Sequence, residues 1–323
     1  MSSYTVKSVF EKEQVEMRKV YCNTLMELAE HDPRICVLDA DLVGSSGVKP
    51  FFKAYPDRAI DCGIQESNMI GVAAGMSAAG MVPFVHSFGP FATRRCLDQI
   101  FISAAYAKLN VRIIGSDPGV VAAYNGGTHM PFEDMGALMA VPEITLLEPT
   151  DSVQFEWLVR QLQNAYGVYY IRLYRKTAVG VFEPGSTFEM GKAALLRDGT
   201  DVCIAASGIM VAEALKAAQS LEAQGISAAV LNTFTWKPID DEALRLYADK
   251  CGCFVTAENH NTVGGLGSAV AASLAKNHPV PVEMVGVHDQ FGQVGTEAFL
   301  REAYNLTAAE IEAAAKRAIA RKA

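Results

Sequence analysis

Short apolar runs, each four residues long, recur along this chain with helical stretches between them, and that alternation limits the fold most. Ile35–Leu38, Val82–Val85, Val111–Ile114, Ile144–Leu147 and Tyr169–Arg172 form a first set. Val202–Ala205, Ala228–Leu231, Phe254–Ala257 and Val282–Val285 form a second. Runs that short, largely apolar and separated by helical periodicity, predict strands buried on both faces with crossover helices between them. Helices are expected at 18–29, from Glu66 onward, at 93–107, at 209–223, at 240–250, after Gly267 and from Ala308. The periodicity is interrupted at about 180–192 by Gly180, Pro184, Gly185 and Gly191. The reading is α/β: two doubly wound domains with mostly parallel sheets, 1–183 and 190–323, joined by a linker at 184–189.

In open parallel sheets ligands lie beyond the carboxyl ends of the strands, and Asp39, Ser87 and Asp117 all stand at such ends. The stretch Asp61-Cys-Gly-Ile-Gln-Glu66-Ser-Asn-Met-Ile70 leads into Gly71-Val-Ala-Ala-Gly-Met-Ser-Ala-Ala-Gly80. It sets one carboxylate, Glu66, at the mouth of a helix made of small and apolar residues, a face suited to close packing against another chain. Desolvation there is expected to raise the carboxyl pKa and let the acid share a proton with a ligand nitrogen. The plainer role for Glu66 is a carboxylate favoured by the helix dipole. About twenty residues later, Phe88 and Phe91 stand three apart after a strand and can wall a planar ring. The long loop 116–134 carries Gly126-Gly-Thr-His129 and places an imidazole on a turn. Arg18, Ser45 and Arg175 are candidate anion ligands, since guanidinium forks suit oxyanions.

Composition excludes several classes. A net charge of −8 with no basic run argues against a nucleic-acid surface. No run of 18 apolar residues marks a membrane span. The seven cysteines are scattered, and Cys251-Gly-Cys253 lacks a second pair, so no metal ligands are assigned. With no apolar leader at the N-terminus, a cytoplasmic protein is expected. Glu258-Asn-His260 followed by Gly264-Gly-Leu-Gly267 lacks the order of a dinucleotide fingerprint, and His260 is given no catalytic role.

The Asp61–Gly80 segment, the Phe88/Phe91 segment, the Thr128-His129 loop and Met17-Arg18-Lys19 together resemble the transketolase family, over essentially the whole chain. The resemblance implies a pyrimidine-binding domain followed by a transketolase C-terminal domain, with thiamin diphosphate as cofactor. In that family the matching Glu bonds N1′ of the pyrimidine and promotes loss of the thiazolium C2 proton, which makes Glu66 catalytic. Phe88 is then the first choice for the ring that stacks on the pyrimidine and Phe91 for the neighbouring wall, with the order open. Asp41 joins them as a cofactor ligand. His129 matches the imidazole that contacts the substrate carbonyl and hydroxyls. Arg18, Ser45 and Arg175 match the sugar-phosphate ligands. Asp117 stands where transketolases usually have His, and Tyr124-Asn125-Gly126 replaces an acidic segment. Asp117 and Asn125 therefore imply a non-standard donor or acceptor.

No Gly-Asp-Gly with a following Asn is present, the pattern by which the family holds Mg2+ and the diphosphate. The resemblance therefore implies a subunit of a split transketolase, with Mg2+ held mainly by an N-terminal-half partner in a heterotetramer containing two copies of this chain. The expected activity is transfer of a two-carbon ketol unit from a ketose phosphate or related anionic sugar to an aldose. The alternatives are the β subunit of a 2-oxoacid dehydrogenase E1 component and a non-catalytic partner subunit.

Overall fold

The computed structural model describes residues 2–322. Its first sheet holds β1 (Ile35–Asp39), β2 (Ala59–Asp61), β3 (Val82–Phe88), β4 (Val111–Ser116), β5 (Ile144–Leu147) and β6 (Val168–Leu173). The second holds β7 (Ala194–Arg197), β8 (Val202–Ala206), β9 (Ala228–Asn232), β11 (Phe254–Asn261) and β12 (Val282–Val287). Between β9 and β11, β10 (Thr235–Lys237) leaves the second sheet and pairs antiparallel with β5. The orders are β10-β5-β6-β4-β3-β1-β2 and β12-β11-β8-β9-β7. All pairings are parallel except β10 with β5 and β7 with β9. This is the α/β fold the apolar runs imply, with the antiparallel strands at the sheet edges.

Every residue of β1, β3, β4, β8 and β9 is buried, because helices cover both faces. Alternate residues therefore feed two separate cores. Ile35 and Val37 join one, with Val202 and Ile204. Cys36 and Leu38 join the other, with Cys203 and Ala205. Each core thus runs through both sheets. Within 184–189 Ser186 and Phe188 are buried: Phe188 lies against Phe182 (4.6 Å between ring centroids) and stacks with Tyr4 (5.8 Å). The N-terminal residues run antiparallel to the segment 179–187, bridging at Ser3–Thr187, Val6–Phe182 and Lys12–Val179.

Register aligns the carboxyl ends of the parallel strands. Asp39 lies beside Asp61 on β2 and His86 on β3, Phe88 beside Ser116, and Ser116 beside Leu173. The expected helix at 93–107 is not regular. It opens with a 3₁₀ turn, Arg94–Cys96, and continues as a wide π-type turn over Ile100–Tyr106. Such widened turns are frequent at functional positions.

Behind the strand ends, the two sheets are joined by one buried cation. Arg172, on β6, donates to Asp134 (2.9 Å) and Glu148 (2.7 Å), and all three are sealed from solvent. It also donates to the carbonyls of Pro131 (3.2 Å) and Asn259 (3.1 Å), the latter on β11. Tyr170 donates to the same Asp134 oxygen (2.7 Å), leaving the other without a hydrogen-bond partner among the described residues, and Ser207 takes the second oxygen of Glu148 (2.5 Å). Burial and the neighbouring Arg172 hold His260 neutral, its pKa lowered to about 4. The ring therefore accepts from the Gly136 N–H and donates to the Asn261 carbonyl (2.7 Å). Removing one partner from a buried ion network leaves uncompensated charge, which costs about 3–5 kcal/mol. Arg172→Met should lose stability of that order in urea titration; a loss under about 1 kcal/mol would show that Asp134 and Glu148 are satisfied without it.

Candidate active site

Glu66 is the first residue of the helix Glu66–Ala78 and is 2% exposed, as its sequence position suggested. Its partner was not foreseen. Nη1 of Arg95 lies 2.9 Å from both carboxylate oxygens, and the half-exposed guanidinium covers the acid on its outer side. Arg95 also lies over the face of Phe91, 4.2 Å from the ring centroid, an arrangement the ring quadrupole favours. Glu66, Arg95 and Phe91 thus form one end of a continuous surface.

His129 occupies the middle. Its ring meets Phe91 edge-on at 5.0 Å and Phe88 edge-on at 5.7 Å, and Phe88 and Phe91 are themselves 6.3 Å apart. Nδ1 lies 2.9 Å from the Thr128 hydroxyl, so that neighbour sets the orientation of the imidazole. Two aromatics and an imidazole, gathered from the end of β3, the short helix Gly89–Ala92 after it and the 116–134 loop, make a three-ring floor. Phe91 is on the Glu66 side and Phe88 on the far side.

The far end is ionic. Arg175 lies over Phe88 (4.8 Å) and forms a two-pronged pair with Asp117 (2.8 and 2.5 Å). Its Nη1 and that of Arg18 each donate to the Ser45 carbonyl at 3.1 Å. Arg18 is in turn paired with Glu16 (3.0 and 3.3 Å). Arg18, Ser45, Asp117 and Arg175 therefore come together, with Ser45 joining them through its backbone. Asn125 is exposed on the same loop as His129, and among the described residues its side chain has no hydrogen-bond partner.

Asp41 lies at the sheet edge, exposed and in the left-handed backbone region (φ 62°), its N–H bonded to Asp61 (2.9 Å). The deeper acid is Asp39, which the sequence marked only as a strand end. Burial pushes its carboxyl up to about 6 although Ser46 (2.8 Å) and the Leu42 N–H (2.5 Å) both donate to it. Arg95 and Asp39 are the charged groups here that sequence reasoning missed. The available signals were the adjacent pair Arg94-Arg95 just after the aromatic wall, and the Asp39-Ala-Asp41 spacing.

The loop that carries His129 is held from the second sheet's side. Asn259 accepts from the Val120 N–H (2.9 Å) and donates to the Pro118 carbonyl (2.8 Å). At Gly127 a Cβ would stand 2.3 Å from the Gly292 carbonyl oxygen, so the two backbones touch where the turn begins. Gly127→Ala should force the loops apart, lowering stability by about 1–3 kcal/mol and shifting the His129 imidazole resonance in NMR spectra. Gly44→Ala, where nothing lies within 4 Å, is the control. Equal melting temperatures and unmoved His129 resonances in the two variants would show that the contact with Gly292 does not set the turn.

Residues 13–179 match the family described as transketolase, pyrimidine binding domain, and residues 191–311 match transketolase, C-terminal domain. The chain is 51% identical over 306 residues to the 6-deoxy-6-sulfo-D-fructose transketolase subunit SqwH of Clostridium sp. strain MSTE9, covering 95% of each. It is 36% identical over 277 residues to an apulose-4-phosphate transketolase subunit of Phocaeicola vulgatus, covering 85% of this chain and 88% of that one. Among solved structures it is similar to a split gene transketolase described as an inactive beta4 tetramer, with a TM-score of 0.88 and 40% identity. That match covers 96% of this chain and all of that one.

Proposed function

This chain belongs to the transketolase family, and we propose that it is the pyrimidine-side subunit of a split, thiamin-diphosphate-dependent transketolase. The observation that carries the reading is the order of groups along one surface: buried acid, three rings, then a cluster of candidate anion ligands, Arg18, Ser45 and Arg175. A planar heteroaromatic with a ring nitrogen fits the first end and a sugar with an anionic terminus fits the second. The names of the sulfofructose and apulose phosphate relatives support that reading, since both are transketolase subunits.

The residues present fit the pyrimidine half of thiamin diphosphate. Glu66 is a desolvated carboxyl on a fixed helix end, able to bond a ring nitrogen and to hold or release a proton there. Phe91 is the ring on Glu66's side, which favours it over Phe88 for stacking. Arg95 now holds the carboxyl of Glu66, and a ring nitrogen would compete with it. When bound, thiamin diphosphate supplies the electron sink for carbon–carbon bond cleavage. The chain's own groups position and protonate: His129, between the rings, is set to hydrogen-bond a sugar oxygen, and Arg18 and Arg175 fix the terminal anion. Mg2+ and the diphosphate fall to a partner subunit.

An apolar surface supports the assembly. Ile64, Phe101, Ile102 and Tyr106 are all exposed beside the Glu66–Ala78 helix, where Gly71 and Gly75 have open space above them. Such a face fits close packing against another chain. The 2-oxoacid dehydrogenase reading is less favoured, because it gives the Arg18–Ser45–Arg175 cluster no ligand.

Two measurements test the proposal. The pure chain should show no ketol transfer until a subunit carrying the diphosphate-binding half is added; turnover by the chain alone would overturn the split-site reading. In the reconstituted complex, Glu66→Gln should slow hydrogen–deuterium exchange at thiamin C2 by about 10²–10⁴-fold, as for loss of a general acid–base group. Cofactor affinity should change much less, because the amide can still bond the ring. Exchange at the wild-type rate would reduce Glu66 to a helix-end carboxylate.

A further inference from the structure

The arginine cluster carries its own counter-charges. Arg175 is bound through two nitrogens to Asp117, which is 2% exposed, and Arg18 through two nitrogens to Glu16. Lys19 approaches Glu16 at 3.8 Å from the surface. The cations bonded into this cluster are Arg18, Lys19 and Arg175, and the carboxylates are Glu16 and Asp117. One net positive charge remains, although two guanidinium groups converge on the Ser45 carbonyl. Asp117 cannot easily turn away. It follows β4 directly, holds a left-handed backbone (φ 58°) and is tied through its N–H to the Leu173 carbonyl (3.0 Å). Phe88, beneath the Arg175 guanidinium, blocks retreat on that side.

We infer that Asp117, with Glu16, is a specificity-determining group that sets this site for a sugar whose end is a monoanion of the sulfonate class, against a phosphate dianion. A sulfonate offers three oxygens to the arginine forks with a single charge. A phosphate monoester carries a charge of about −1.5 to −2 near neutral pH, its second pKa lying near 6. The second charge would face the buried Asp117 carboxylate, and like charges brought together are disfavoured. The inference rests on the ketol-transfer reading only in taking the ligand to be a sugar with an anionic end.

Calorimetric titration of the full chain with 6-deoxy-6-sulfo-D-fructose and with D-fructose 6-phosphate tests it. At about pH 7.5 the sulfonate should bind at least ~10-fold more tightly, and the gap should close to within ~3-fold near pH 5, where the phosphate is a monoanion. Arg18 holds the Glu16 carboxyl below its ordinary range, so that group keeps its charge across most of this window. Asp117→Asn should narrow the preference at about pH 7.5 by at least ~5-fold, mainly through tighter phosphate binding, and Glu16→Gln should shift it the same way by less. Glu16→Gln leaves the buried pair intact, so the idea stays testable if Asp117→Asn folds poorly. Phosphate binding as tight as sulfonate at about pH 7.5 would overturn the inference. So would a preference indifferent to pH and to both variants, or no saturable binding of either sugar. The readout is separate from the cofactor chemistry: failed discrimination leaves thiamin C2 exchange untouched, and absent ketol transfer leaves the binding ratio standing.

Discussion

A guanidinium with no access to solvent organises this molecule. Arg172 sits at the end of β6, where the first sheet meets the loops of the second, and its donors reach Asp134, Glu148, Pro131 and Asn259. Desolvating that many charges is costly, and such a cluster is tolerated when its charges are closely paired. Here Ser207 takes the second oxygen of Glu148, while Tyr170 shares the Asp134 oxygen that Arg172 holds. The return is positional. The segment 116–134, which carries Asp117 and His129, passes over this cluster, and Pro131 and Asp134 tie its outgoing end to it. The site is built on a loop, but the loop ends in a salt-bridge network.

Above that network the aromatic floor separates two kinds of chemistry. Each outer ring has a guanidinium on its face: Arg95 over Phe91 and Arg175 over Phe88. Each guanidinium is then claimed by a carboxylate, Glu66 at one end and Asp117 at the other. Stacking restricts where an arginine can travel, while the carboxylate sets its direction. The two ends are therefore alike in construction and different in burial. At the Glu66 end the carboxylate is the buried partner and the arginine its half-exposed cover. At the Asp117 end both partners are largely buried, and the arginine also reaches the Ser45 carbonyl.

The strands were legible because full burial on both faces leaves short runs of mostly apolar residues between helical stretches. Glu66 was legible because a lone acid at the mouth of a Gly/Ala-rich helix stands out from everything around it. Three features were not. β10 is three residues long and takes its place from pairing with β5, some ninety residues earlier, so no local pattern announces it. The 93–107 stretch has helical composition, yet its turns vary from tight to wide as it follows the contour of the site. Arg172 stands in an apolar run and reads as a strand residue with a misplaced charge. Its partners are 24 to 87 positions away in sequence, and only the fold brings them close. Charge pairing over such separations, as at Arg95–Glu66 and Arg175–Asp117, leaves no periodic trace.

The second sheet supplies no group to the row of acid, rings and anion ligands, yet the row depends on it. Asp117 and Ala123 are non-glycine residues with positive φ, at 58° and 49°, in the loop that delivers His129. Each such residue stores about 1–3 kcal/mol that the surroundings must offset. The surroundings are the second domain's Asn259, which bonds both Pro118 and Val120, and the Gly292 carbonyl against Gly127. At Gly119 a Cβ would stand 2.1 Å from the Asn259 side-chain oxygen, so the loop and β11 approach as closely as backbone allows. A pyrimidine-binding sheet without these contacts would keep its strands and relax its loop, losing the alignment of His129 between Phe88 and Phe91. The second domain therefore acts by holding a strained loop in place, which is why its contribution can be read from backbone contacts and not from reactive side chains.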